Sequence, residues 1–435
     1  MEHIIWNRKM ECADRDEIKE LQLARLKETV ERCYERVPLY KKKFDKVGLL
    51  PKHIKTLSDV RHIPFTTAED LRETYPFGMF AVDKREVVRV HGSSGTTGKP
   101  KIVGYTKNDI KMWTEILARI ICAAGTTPDD IAQIAFGYGL FTGGFGLHYG
   151  LEKVGAMVVP LSSGNTERHL MLMQDFGSTV LIATPSYALY LGEMAHKMEI
   201  DFSKIKLRLG LFGGEGHTDE MRKKIEELWH MDVTENYGLS EMIGPGYSGE
   251  CYKHTGMHIA EDNFVSEIVD EKTLEPLPVG EKGELVVTSL TKEAFPVLRY
   301  RTKDITWFDD APCPCGRTSM RMAKIQGRTD DMLVIRGVNV FPSQIEGVVM
   351  AMDEVEPYYE IVVTTEGSMD RIEVKVEVAN ERLLDNFAEL EKLREKVRHN
   401  LRVVLNIDAK VTLVSSGSLQ RFQGKAKHVT DLRKK

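Results

Sequence analysis

Between about residue 85 and residue 264, short apolar runs alternate with stretches of helical periodicity. The apolar runs lie within EVVRVH, DIAQIAFGYGL, AMVVPL, STVLIATP and LRLGLFGGEG. Helical stretches such as SYALYLGEMAHKM separate several of them, and glycine-rich loops follow others. Strand, loop, helix and strand in succession predict parallel α/β layers.

The segments on either side of this region have different patterns. Roughly the first 60 residues predict amphipathic helix, because IKELQLARLKETVERCYERV spaces its apolar residues by three and four. Beyond residue 264, FVSEIVD and ELVVTSL flank a turn and predict a β-hairpin. From Gly327 onward a second hairpin (EIVVTT to IEVKVEV), the helix ERLLDNFAELEKLREKVRHNL and the strand AKVTLV predict a small α+β domain. The predicted domains are therefore a large α/β domain over 1–326 and a small α+β domain over 327–435.

Composition excludes several classes of protein. With 435 residues, 42% hydrophobic and 29% charged, the chain is long enough for two or more globular domains. Its 60 Lys and Arg against 65 Asp and Glu give a net charge of −5, so nucleic acid and anionic membranes are not expected partners. The N-terminus lacks the apolar core of a signal peptide, and no run approaches the roughly 20 apolar residues of a membrane span. We therefore expect a soluble cytoplasmic protein.

The loop HGSSGTTGKPK, from His91 to Lys101, has the composition of a phosphate-binding loop. Its glycines let backbone N–H groups approach an anion, its hydroxyl groups add donors, and its lysines add positive charge. It is not a Walker loop, because Ser93 and Pro100 stand where that motif needs glycine and Ser or Thr. The alternative is a solvated turn rich in Gly, Ser and Thr.

Five motifs, in one order, resemble those of the adenylate-forming superfamily, which comprises the acyl- and aryl-CoA synthetases and their relatives. They are SSGTTGKPK (93–101), NYGLSE (236–241), YRTKD (300–304), GRTDDMLVIRGVNVFPSQIE (327–346) and QGKAK (423–427). Within the superfamily, RGVNVFPSQIE, APCPCGR and FGYGLFTGG are most similar to the phenylacetate–CoA ligases. The resemblance implies an N-terminal domain of the adenylate-forming type and a mobile C-terminal domain.

The resemblance also implies a two-step reaction. A carboxylate attacks the α-phosphate of ATP to give acyl-AMP and pyrophosphate, and the thiol of coenzyme A then displaces AMP. ATP, coenzyme A and Mg²⁺ are thus expected, with phenylacetate or a close aryl acetate as the acid and a homodimer by analogy. Two alternatives stay open: an adenylyltransferase on the same fold that needs no coenzyme A, like the deazaflavin-cofactor synthetases, and a non-catalytic nucleotide-binding protein.

The resemblance assigns a set of residues to the nucleotide. They are Ser93, Ser94, Gly95, Thr96, Thr97, Gly98, Lys99, Gly213, Gly214, Glu215, Asn236, Tyr237, Gly238, Asp304 and Arg328. The loop would hold the β- and γ-phosphates, 213–215 would form the adenine wall, and Asp304 would accept the ribose hydroxyls. Tight turns and weak surface ion pairs are the alternatives.

Two residues are implied to act in the first step. Glu241 would hold Mg²⁺, a hard cation that prefers carboxylate and phosphate oxygens. Lys425 would bridge the acid carboxylate and the α-phosphate and stabilise the transition state. Taken without the resemblance, Lys425 belongs to a basic tail of the kind that is usually solvated. Asp330 is the expected hinge between the half-reactions.

The loop FGYGLFTGGFG carries three phenylalanines and a tyrosine among five glycines. Aromatic side chains around a concave site suit a flat aromatic substrate. By resemblance, Phe136 and Phe141 face the ring of the acid, and plain core packing is the alternative. No Lys or Arg stands out in this loop, which favours a monocarboxylate.

Three of the six cysteines cluster with a histidine and predict a structural zinc site. The expected ligands are Cys251, His258, Cys313 and Cys315, with His258 preferred to His254 because it precedes Ile259 at an expected strand start. Four protein ligands leave no open position, so this zinc would not be catalytic. The alternative is three buried, reduced cysteines.

Overall fold

The computed structural model describes residues 4–93, 100–335, 338–366, 369–422 and 426–433. Its α-helices are α1 (Arg8–Glu11), α2 (Arg15–Arg36), α3 (Pro38–Val47), α4 (Ala68–Glu73), α5 (Lys107–Ala124), α6 (Gly143–Val154), α7 (Thr166–Phe176), α8 (Pro185–Lys197), α9 (Asp219–Trp229), α10 (Pro342–Met350) and α11 (Phe387–Leu405). Within these ranges, none of the helices is long and apolar enough to span a lipid bilayer.

The strands begin at Arg89, and most of them have seven residues or fewer. They are β1 (Arg89–Ser93), β2 (Lys101–Tyr105), β3 (Ile131–Ile134), β4 (Met157–Pro160), β5 (Val180–Ala183), β6 (Leu209–Phe212), β7 (Asp232–Tyr237), β8 (Ser248–Glu250), β9 (Met257–Ile259), β10 (Phe264–Val269), β11 (Gly283–Ser289), β12 (Tyr300–Thr306), β13 (Phe308–Asp309), β14 (Arg321–Met322), β15 (Gly327–Arg328), β16 (Leu333–Ile335), β17 (Val338–Val340), β18 (Val355–Glu366), β19 (Met369–Val378), β20 (Lys410–Val414) and β21 (Val429–Asp431).

The chain divides into two compact units. The first unit comprises Met1–Thr184, Met194–Gly214 and His230–Lys324. The second comprises Pro185–Glu193, Glu215–Trp229 and Ile325–Lys435. The second unit also includes two segments that precede residue 230. This division therefore does not test the predicted domain boundary at 326/327, which stays a prediction.

The largest sheet of the first unit has the order β13-β14-β9-β8-β7-β6-β5-β3-β4. Strands β4, β3, β5, β6 and β7 pair in parallel, which confirms the predicted parallel α/β layers. Strand β4 lies on one side of β3, whereas β5, β6 and β7 continue on the other. In open α/β sheets, ligands bind outside the carboxyl ends of the strands at such a change of direction.

The prediction that EVVRVH belongs to these parallel layers was wrong. The segment contributes to β1, which pairs with β2 in a two-stranded antiparallel sheet, from Arg89↔Tyr105 to Ser93↔Lys101. Parallel pairing needs a crossover of about a dozen residues or more, whereas only residues 94–100 separate β1 from β2.

The predicted hairpin after residue 264 is confirmed. Strands β10 and β11 pair antiparallel, from Phe264↔Ser289 to Val269↔Glu284, and β11 pairs antiparallel with β12. The N-terminal helix is confirmed as well, and α2 is fixed to this region because the Gln22 amide donates to the Glu261 and Phe264 carbonyl oxygens, both at 2.9 Å.

The C-terminal part of the second unit is the predicted α+β arrangement. Its sheet has the order β20-β19-β18-β21, and α11 buries Leu393, Val397, Leu401 and Leu405, which are spaced by four residues. The predicted helix starts later than expected, since 381–385 forms a 3-10 turn and α11 begins at Phe387. The Asn386 side chain accepts the Glu389 N–H and thereby caps α11 at that point.

A buried carboxyl group lies in the second unit on α10. Glu346 accepts hydrogen bonds from the Tyr359 hydroxyl (3.0 Å) and from the Thr218 N–H (3.2 Å). Burial raises the pKa of Glu346 to about 7, and the charges of Glu215 and Glu220 act in the same direction. Near neutral pH the folded protein therefore holds this carboxyl group close to the midpoint of its titration.

This pKa predicts a pH-dependent stability. The ordinary pKa of a glutamate is 4.5, so between pH 4.5 and about pH 7 the folded state holds a proton that the unfolded state has released. The free energy of unfolding therefore falls as the pH rises through this window. We expect Glu346→Gln to raise the thermal midpoint relative to wild type at pH 8 and to change it little at pH 5. The gain is at most about 3 kcal/mol.

Thermal unfolding between pH 5 and pH 8 checks this prediction. Glu381→Gln, the same chemical change at an exposed position, is the matched control. A Glu346→Gln effect of equal size at both pH values would show that packing, rather than titration, causes it.

Candidate active site

Residues predicted to enclose the nucleotide lie at the carboxyl ends of neighbouring parallel strands in the first unit. Gly213 and Gly214 follow β6, and Asn236 is the second-to-last residue of β7, at the same edge. A Cβ atom at Gly213 would lie 2.5 Å from the Asn236 carbonyl oxygen. Gly214 has φ +83°, and a Cβ there would lie 3.4 Å from the Phe136 ring. Glycine is therefore required at Gly213 for the two strand ends to approach.

A tyrosine joins β7 to the predicted ribose ligand. The Tyr237 hydroxyl donates a short hydrogen bond to Asp304 on β12, whose side chain is buried. Beside it, the Asn236 amide donates to the Phe212 carbonyl oxygen at 2.8 Å. The structure thus brings together Asn236 and Tyr237 of the NYGLSE motif and Asp304 of the YRTKD motif.

The Glu241 carboxylate is 3% exposed and is paired with a lysine. It forms an ion pair with Lys101, the first residue of β2, and accepts a hydrogen bond of 3.3 Å from the Tyr300 hydroxyl. Across the β1–β2 pair from Lys101 lies Ser93, whose Oγ is buried and has no hydrogen-bond partner among the described residues. A buried hydroxyl group without a partner among the described residues can donate to a ligand.

Several predicted residues cannot be located in this geometry. Ser94, Gly95, Thr96, Thr97, Gly98, Lys99 and Lys425 lie outside the described residues. Their roles stay predictions.

The turn that carries Glu241 is folded tightly. A Cβ atom at Gly238 would lie 1.9 Å from the Gly244 carbonyl oxygen, which is too close for any side chain. The Ser240 hydroxyl is hydrogen-bonded to the Thr142 hydroxyl at 3.1 Å, which ties this turn to the aromatic loop after β3. The position of Glu241 thus depends on a backbone contact that only glycine permits.

The two phenylalanines predicted for the acid pocket lie near each other. Phe136 is buried and Phe141 is 40% exposed. A Cβ atom at Gly143 would be 3.0 Å from the Phe141 ring and 3.7 Å from the Phe136 ring, so both rings border the same glycine. Their contact with the acid stays a prediction.

The aromatic loop is also bonded to the strand that leads into the phosphate loop. The Leu140 carbonyl oxygen accepts the Gly92 N–H at 2.8 Å and lies 3.0 Å from His91 Nδ1. Because a carbonyl oxygen only accepts, the latter bond places the His91 proton on Nδ1. Burial lowers the pKa of His91, which disfavours the protonated form of its ring.

Sequence reasoning counted Lys101 among the charged residues of the phosphate loop but did not predict its pairing with Glu241, and it gave no role to His91 or Tyr300. All three stand at the first or last position of a recognised motif, so their proximity to the site was the available signal. Their contacts depend on long-range pairing of strands and loops, which motif spacing does not reveal.

Three other predicted residues lie in the second unit. The Glu215 carboxylate accepts the Ser186 N–H at 2.7 Å and the Ala426 N–H at 2.8 Å. Arg328 donates to Asp330 at 3.0 and 3.2 Å. The roles proposed for these residues, in the adenine wall, at the ribose and at the hinge, stay predictions.

The four predicted metal ligands converge in the first unit. The ligand atoms of Cys251, His258, Cys313 and Cys315 all lie within 4.8 Å of one another, and all four residues are buried. His254 lies elsewhere, with its ring nitrogen Nε2 3.2 Å from Asp232. Of the two histidines considered from sequence, the geometry groups His258 with the thiols.

The three cysteines of this cluster are free and form no disulfide bond. Cys251 Sγ and Cys313 Sγ are 3.8 Å apart, whereas a disulfide needs about 2.05 Å. His258 Nε2 lies 3.4 Å from Cys315 Sγ, and the Nδ1 atom of the same ring is 3.0 Å from the Ser319 hydroxyl. Hydrogen bonds with Cys251 and with His258 lower the pKa of Cys315, which favours its thiolate.

Comparisons with known proteins agree with this architecture. The family model described as AMP-binding enzyme matches residues 22–291, and the AMP-binding enzyme C-terminal domain matches 337–433. Phenylacetate-coenzyme A ligase of Thermus thermophilus is 48% identical over 99% of this chain and 100% of its own. The Escherichia coli protein of the same name is 46% identical over 98% and 97%.

A solved structure is similar over nearly the same extent. A crystal structure of 2-hydroxyisobutyryl-CoA ligase in its postadenylation state has a TM-score of 0.91 and 29% identity, and the match covers 97% of this chain and 91% of that one. The predicted fold class, a large α/β domain of the adenylate-forming type with a small C-terminal α+β domain, is thereby confirmed.

The chain therefore belongs to the AMP-binding enzymes and, among them, to the family of the phenylacetate-coenzyme A ligases. It is an AMP-forming acid–thiol ligase that uses ATP and coenzyme A and works through an acyl-adenylate. These matches favour the ligase over the coenzyme A-independent adenylyltransferase and over the non-catalytic binding protein.

The contact at Gly238 predicts a severe loss of activity on substitution. Gly238→Ala would force the Gly244 carbonyl away by an ångström or more and displace Glu241. Since a misplacement of about 1 Å can cost about 100-fold in rate, we expect a loss of that order in acid-dependent pyrophosphate release.

Gly216→Ala is the matched control, because a Cβ there meets nothing within 4 Å. Circular dichroism of both variants separates loss of the site from loss of the fold. A Gly238→Ala protein with the wild-type rate would contradict the steric argument.

Proposed function

We propose that the acid ligated by this chain is phenylacetate or a close aryl acetate. The observation that carries this proposal is the position of the Phe136 ring against Gly214, at the carboxyl edge of the parallel sheet where ligands of open α/β sheets bind. An apolar ring at this edge suits an aromatic acid whose carboxylate points toward the nucleotide. The names of the relatives, which are 44–48% identical, support the same acid.

Buried polar groups of the first unit support a nucleotide site there. We assign the ribose hydroxyls to Asp304, a buried acceptor fixed by Tyr237, and the adenine to Gly213 and Gly214. The unsatisfied Ser93 hydroxyl would donate to a phosphate oxygen. These assignments, together with a ribose or phosphate contact by Arg328, are part of the proposal.

The carboxylate of Glu241 is a suitable ligand for Mg²⁺. The carboxylate is buried and offers the hard oxygen ligands that Mg²⁺ prefers. When bound, this ion would neutralise charge on the phosphates of ATP. Lys101 already balances the charge of Glu241, so the pocket combines one acidic ligand with one basic side chain.

Lys425 is proposed as the residue that stabilises the transition state of adenylation. It lies in the region matched by the AMP-binding enzyme C-terminal domain, which supports a separate role for this part of the chain. We further propose that 327–435 forms a mobile domain that rotates about Asp330 between the half-reactions, as the resemblance implies.

A structural zinc ion is proposed at Cys251, His258, Cys313 and Cys315. Tetrahedral zinc, with Zn–S of about 2.3 Å and Zn–N of about 2.0 Å, separates two sulfurs by about 3.8 Å and a sulfur from a nitrogen by about 3.5 Å. The distances of 3.8 Å between Cys251 and Cys313 and 3.4 Å between Cys315 and His258 fit this arrangement. The Ser319 hydroxyl at Nδ1 would orient the histidine ring.

The zinc site predicts a metal content and a metal-dependent stability. Purified protein should contain one zinc per chain, measured by inductively coupled plasma mass spectrometry. Cys313→Ser should lose the zinc and lower the thermal midpoint by about 5 °C or more, because a structural metal contributes directly to folding.

Cys33→Ser, at a buried cysteine outside the cluster, should keep its zinc. The proposed zinc site would be wrong if protein from cells grown with added zinc contained no zinc and had the same thermal stability with and without a chelator.

One coupled assay tests the proposed substrate. Purified protein is incubated with Mg-ATP and phenylacetate, indoleacetate, benzoate or acetate, with and without coenzyme A. Pyrophosphate, AMP and thioester are measured by mass spectrometry. We expect thioester from phenylacetate at the highest rate, and only when ATP and coenzyme A are both present.

Preference for benzoate or acetate would reject the aryl acetate. Pyrophosphate without thioester for every acid would return the adenylyltransferase to consideration.

A homodimer and a cytoplasmic location complete the proposal. Both rest on the resemblance and on the composition of the chain rather than on a contact in the structure. Light scattering distinguishes a monomer of 49.3 kDa from a dimer of twice that mass.

A further inference from the structure

One lysine side chain is buried in the first unit without a hydrogen-bond partner. Lys292, in the loop between β11 and β12, is 1% exposed, and its Nζ atom has no partner among the residues that the structure describes. Burying an amine without a partner is costly, so a core position that needs only bulk favours leucine or methionine. An exception of this kind calls for an explanation in terms of function.

The Lys292 amine lies against the ring of Tyr105. Its Nζ atom is 3.1 Å from the ring centroid, and Tyr105 is fully buried at the end of β2. The Trp113 ring stacks on Tyr105 with a centroid distance of 5.1 Å and an interplanar angle of 22°. The face of an aromatic ring attracts a cation, and the attraction is stronger when both groups are buried. The ammonium form of Lys292 therefore holds the Tyr105 ring more firmly than the neutral amine does.

Tyr105 contacts both elements that present the ion pair of Glu241. It is the last residue of β2, and Lys101, the partner of Glu241, is the first. The Tyr105 hydroxyl donates at 2.9 Å to the carbonyl oxygen of Ile243, two residues after Glu241. The indole N–H of Trp113 donates to the same turn at 2.7 Å. A displacement of the Tyr105 ring would therefore shift Lys101 and Glu241 relative to each other.

Two carboxylates close to Lys292 are occupied by other donors. Asp109, in the first turn of α5, is fully buried and accepts the Thr106 N–H at 2.9 Å. It also accepts the N–H groups of Glu293 (2.7 Å) and Ala294 (3.0 Å), the two residues that follow Lys292. The Glu293 carboxylate accepts the Thr106 hydroxyl at 2.7 Å. Neither of these two described carboxylates forms a hydrogen bond with the Lys292 amine.

Lys292 changes its charge near neutral pH. Burial lowers the pKa of its amine to about 7, and the charge of Asp109 acts in the opposite direction. A bound nucleotide brings several negative charges, and an anion near a buried amine favours the ammonium form. A nucleotide bound beside β1 and β2 would therefore draw a proton onto Lys292.

The other groups around Lys292 do not titrate in this way. His91 on β1 lies edge-on to Tyr105 at a centroid distance of 5.5 Å, and burial lowers its pKa, which disfavours its protonated form. Burial raises the pKa of Tyr105, which favours its protonated hydroxyl. Arg32 on α2 donates to the Lys292 carbonyl oxygen at 3.3 Å. The other charged groups that act on Tyr105 are those of Asp109, Arg89 and Glu241.

We propose that Lys292 is a positioning residue for adenylation, whose ammonium form holds Tyr105 and thereby fixes the Lys101–Glu241 pair for Mg-ATP. This inference rests on the proposed role of Glu241 as the ligand of Mg²⁺. Binding of Mg-ATP and protonation of one buried amine then favour each other, because coupling between two binding sites is reciprocal.

The pH dependence of the KM for Mg-ATP tests this inference. Acid-dependent release of pyrophosphate is measured between pH 6.5 and pH 8.5 at saturating Mg²⁺, with the acid that the wild type uses best. We expect the wild-type KM for Mg-ATP to rise by about 10-fold over this range, since each pH unit above the pKa makes the charged form of Lys292 about 10-fold rarer.

Two substitutions fix the charge at this position. Lys292→Met removes the amine at similar volume, so its KM should equal the high-pH value of the wild type throughout. Lys292→Arg is charged at every pH, so its KM should keep the low-pH value of the wild type. In both variants kcat should stay close to the wild-type value, because saturating Mg-ATP compensates for weaker binding. Lys272→Met, the same change at an exposed lysine, is the matched control and should behave as wild type.

Calorimetry on the wild type does not depend on whether the variants fold. Preformed Mg-ATP is titrated into the protein without acid, in two buffers of different ionisation enthalpy, and the difference in heat gives the number of protons taken up. We expect an uptake that approaches about one proton per nucleotide at pH 8 and little uptake at pH 6, where Lys292 is already charged. Binding at pH 8 without proton uptake would overturn the inference.

Glu241→Gln separates this inference from the proposal on which it rests. If Glu241→Gln raises the KM for Mg-ATP but Lys292→Met does not, only the inference is wrong. If Glu241→Gln leaves that KM unchanged, Glu241 is not the ligand of Mg²⁺ and the inference falls with it. The same pH profile for Lys292→Met and Lys292→Arg would mean that Lys292 only fills space, and would also overturn it.

Discussion

The site depends on close approaches of backbone that tolerate no side chain. At Gly213 a Cβ atom would meet the neighbouring strand at 2.5 Å, and at Gly238 it would meet Gly244 at 1.9 Å. These contacts bring the ends of β6 and β7 and the turn with Glu241 to one edge of the sheet. Tyr237, Asp304 and the ion pair of Glu241 are arranged around them, so the polar chemistry of the site follows from steric constraints on glycine.

Several buried carboxylates in the described part of the chain are compensated by hydrogen bonds or by a neighbouring cation. Asp304 and Glu241 are each buried against a tyrosine hydroxyl, and Glu241 has a lysine as well. Glu377 is compensated by an arginine and two backbone N–H groups within one region of the chain. Removing one partner of such a pair leaves an uncompensated charge, which is far more costly than an exposed ion pair is stabilising.

Sequence reasoning identified the fold, the family and the four clustered metal-ligand candidates, because local periodicity and motif order carry that information. It assigned EVVRVH to the parallel layers, because a pattern of apolar residues does not reveal which strand pairs with which. It began the last long helix too early, because the same pattern does not reveal that Asn386 caps α11. It also missed the carboxylate contacts of Glu215, since Ala426 is 211 positions away and offers only a backbone N–H. Motifs report residue types, whereas backbone hydrogen bonds depend on tertiary structure.

The bond between the aromatic loop and β1 has a consequence for protein engineering. Leu140 offers one carbonyl oxygen to both Gly92 and His91, so the loop that borders Phe136 and Phe141 shares a fixed point with the strand leading to Ser93. Any redesign that reshapes this loop for a bulkier acid also shifts that fixed point. If, as proposed, this loop contacts the acid and Ser93 contacts a phosphate of ATP, selectivity for the acid and apparent affinity for ATP are coupled traits, and libraries that screen for one should score the other.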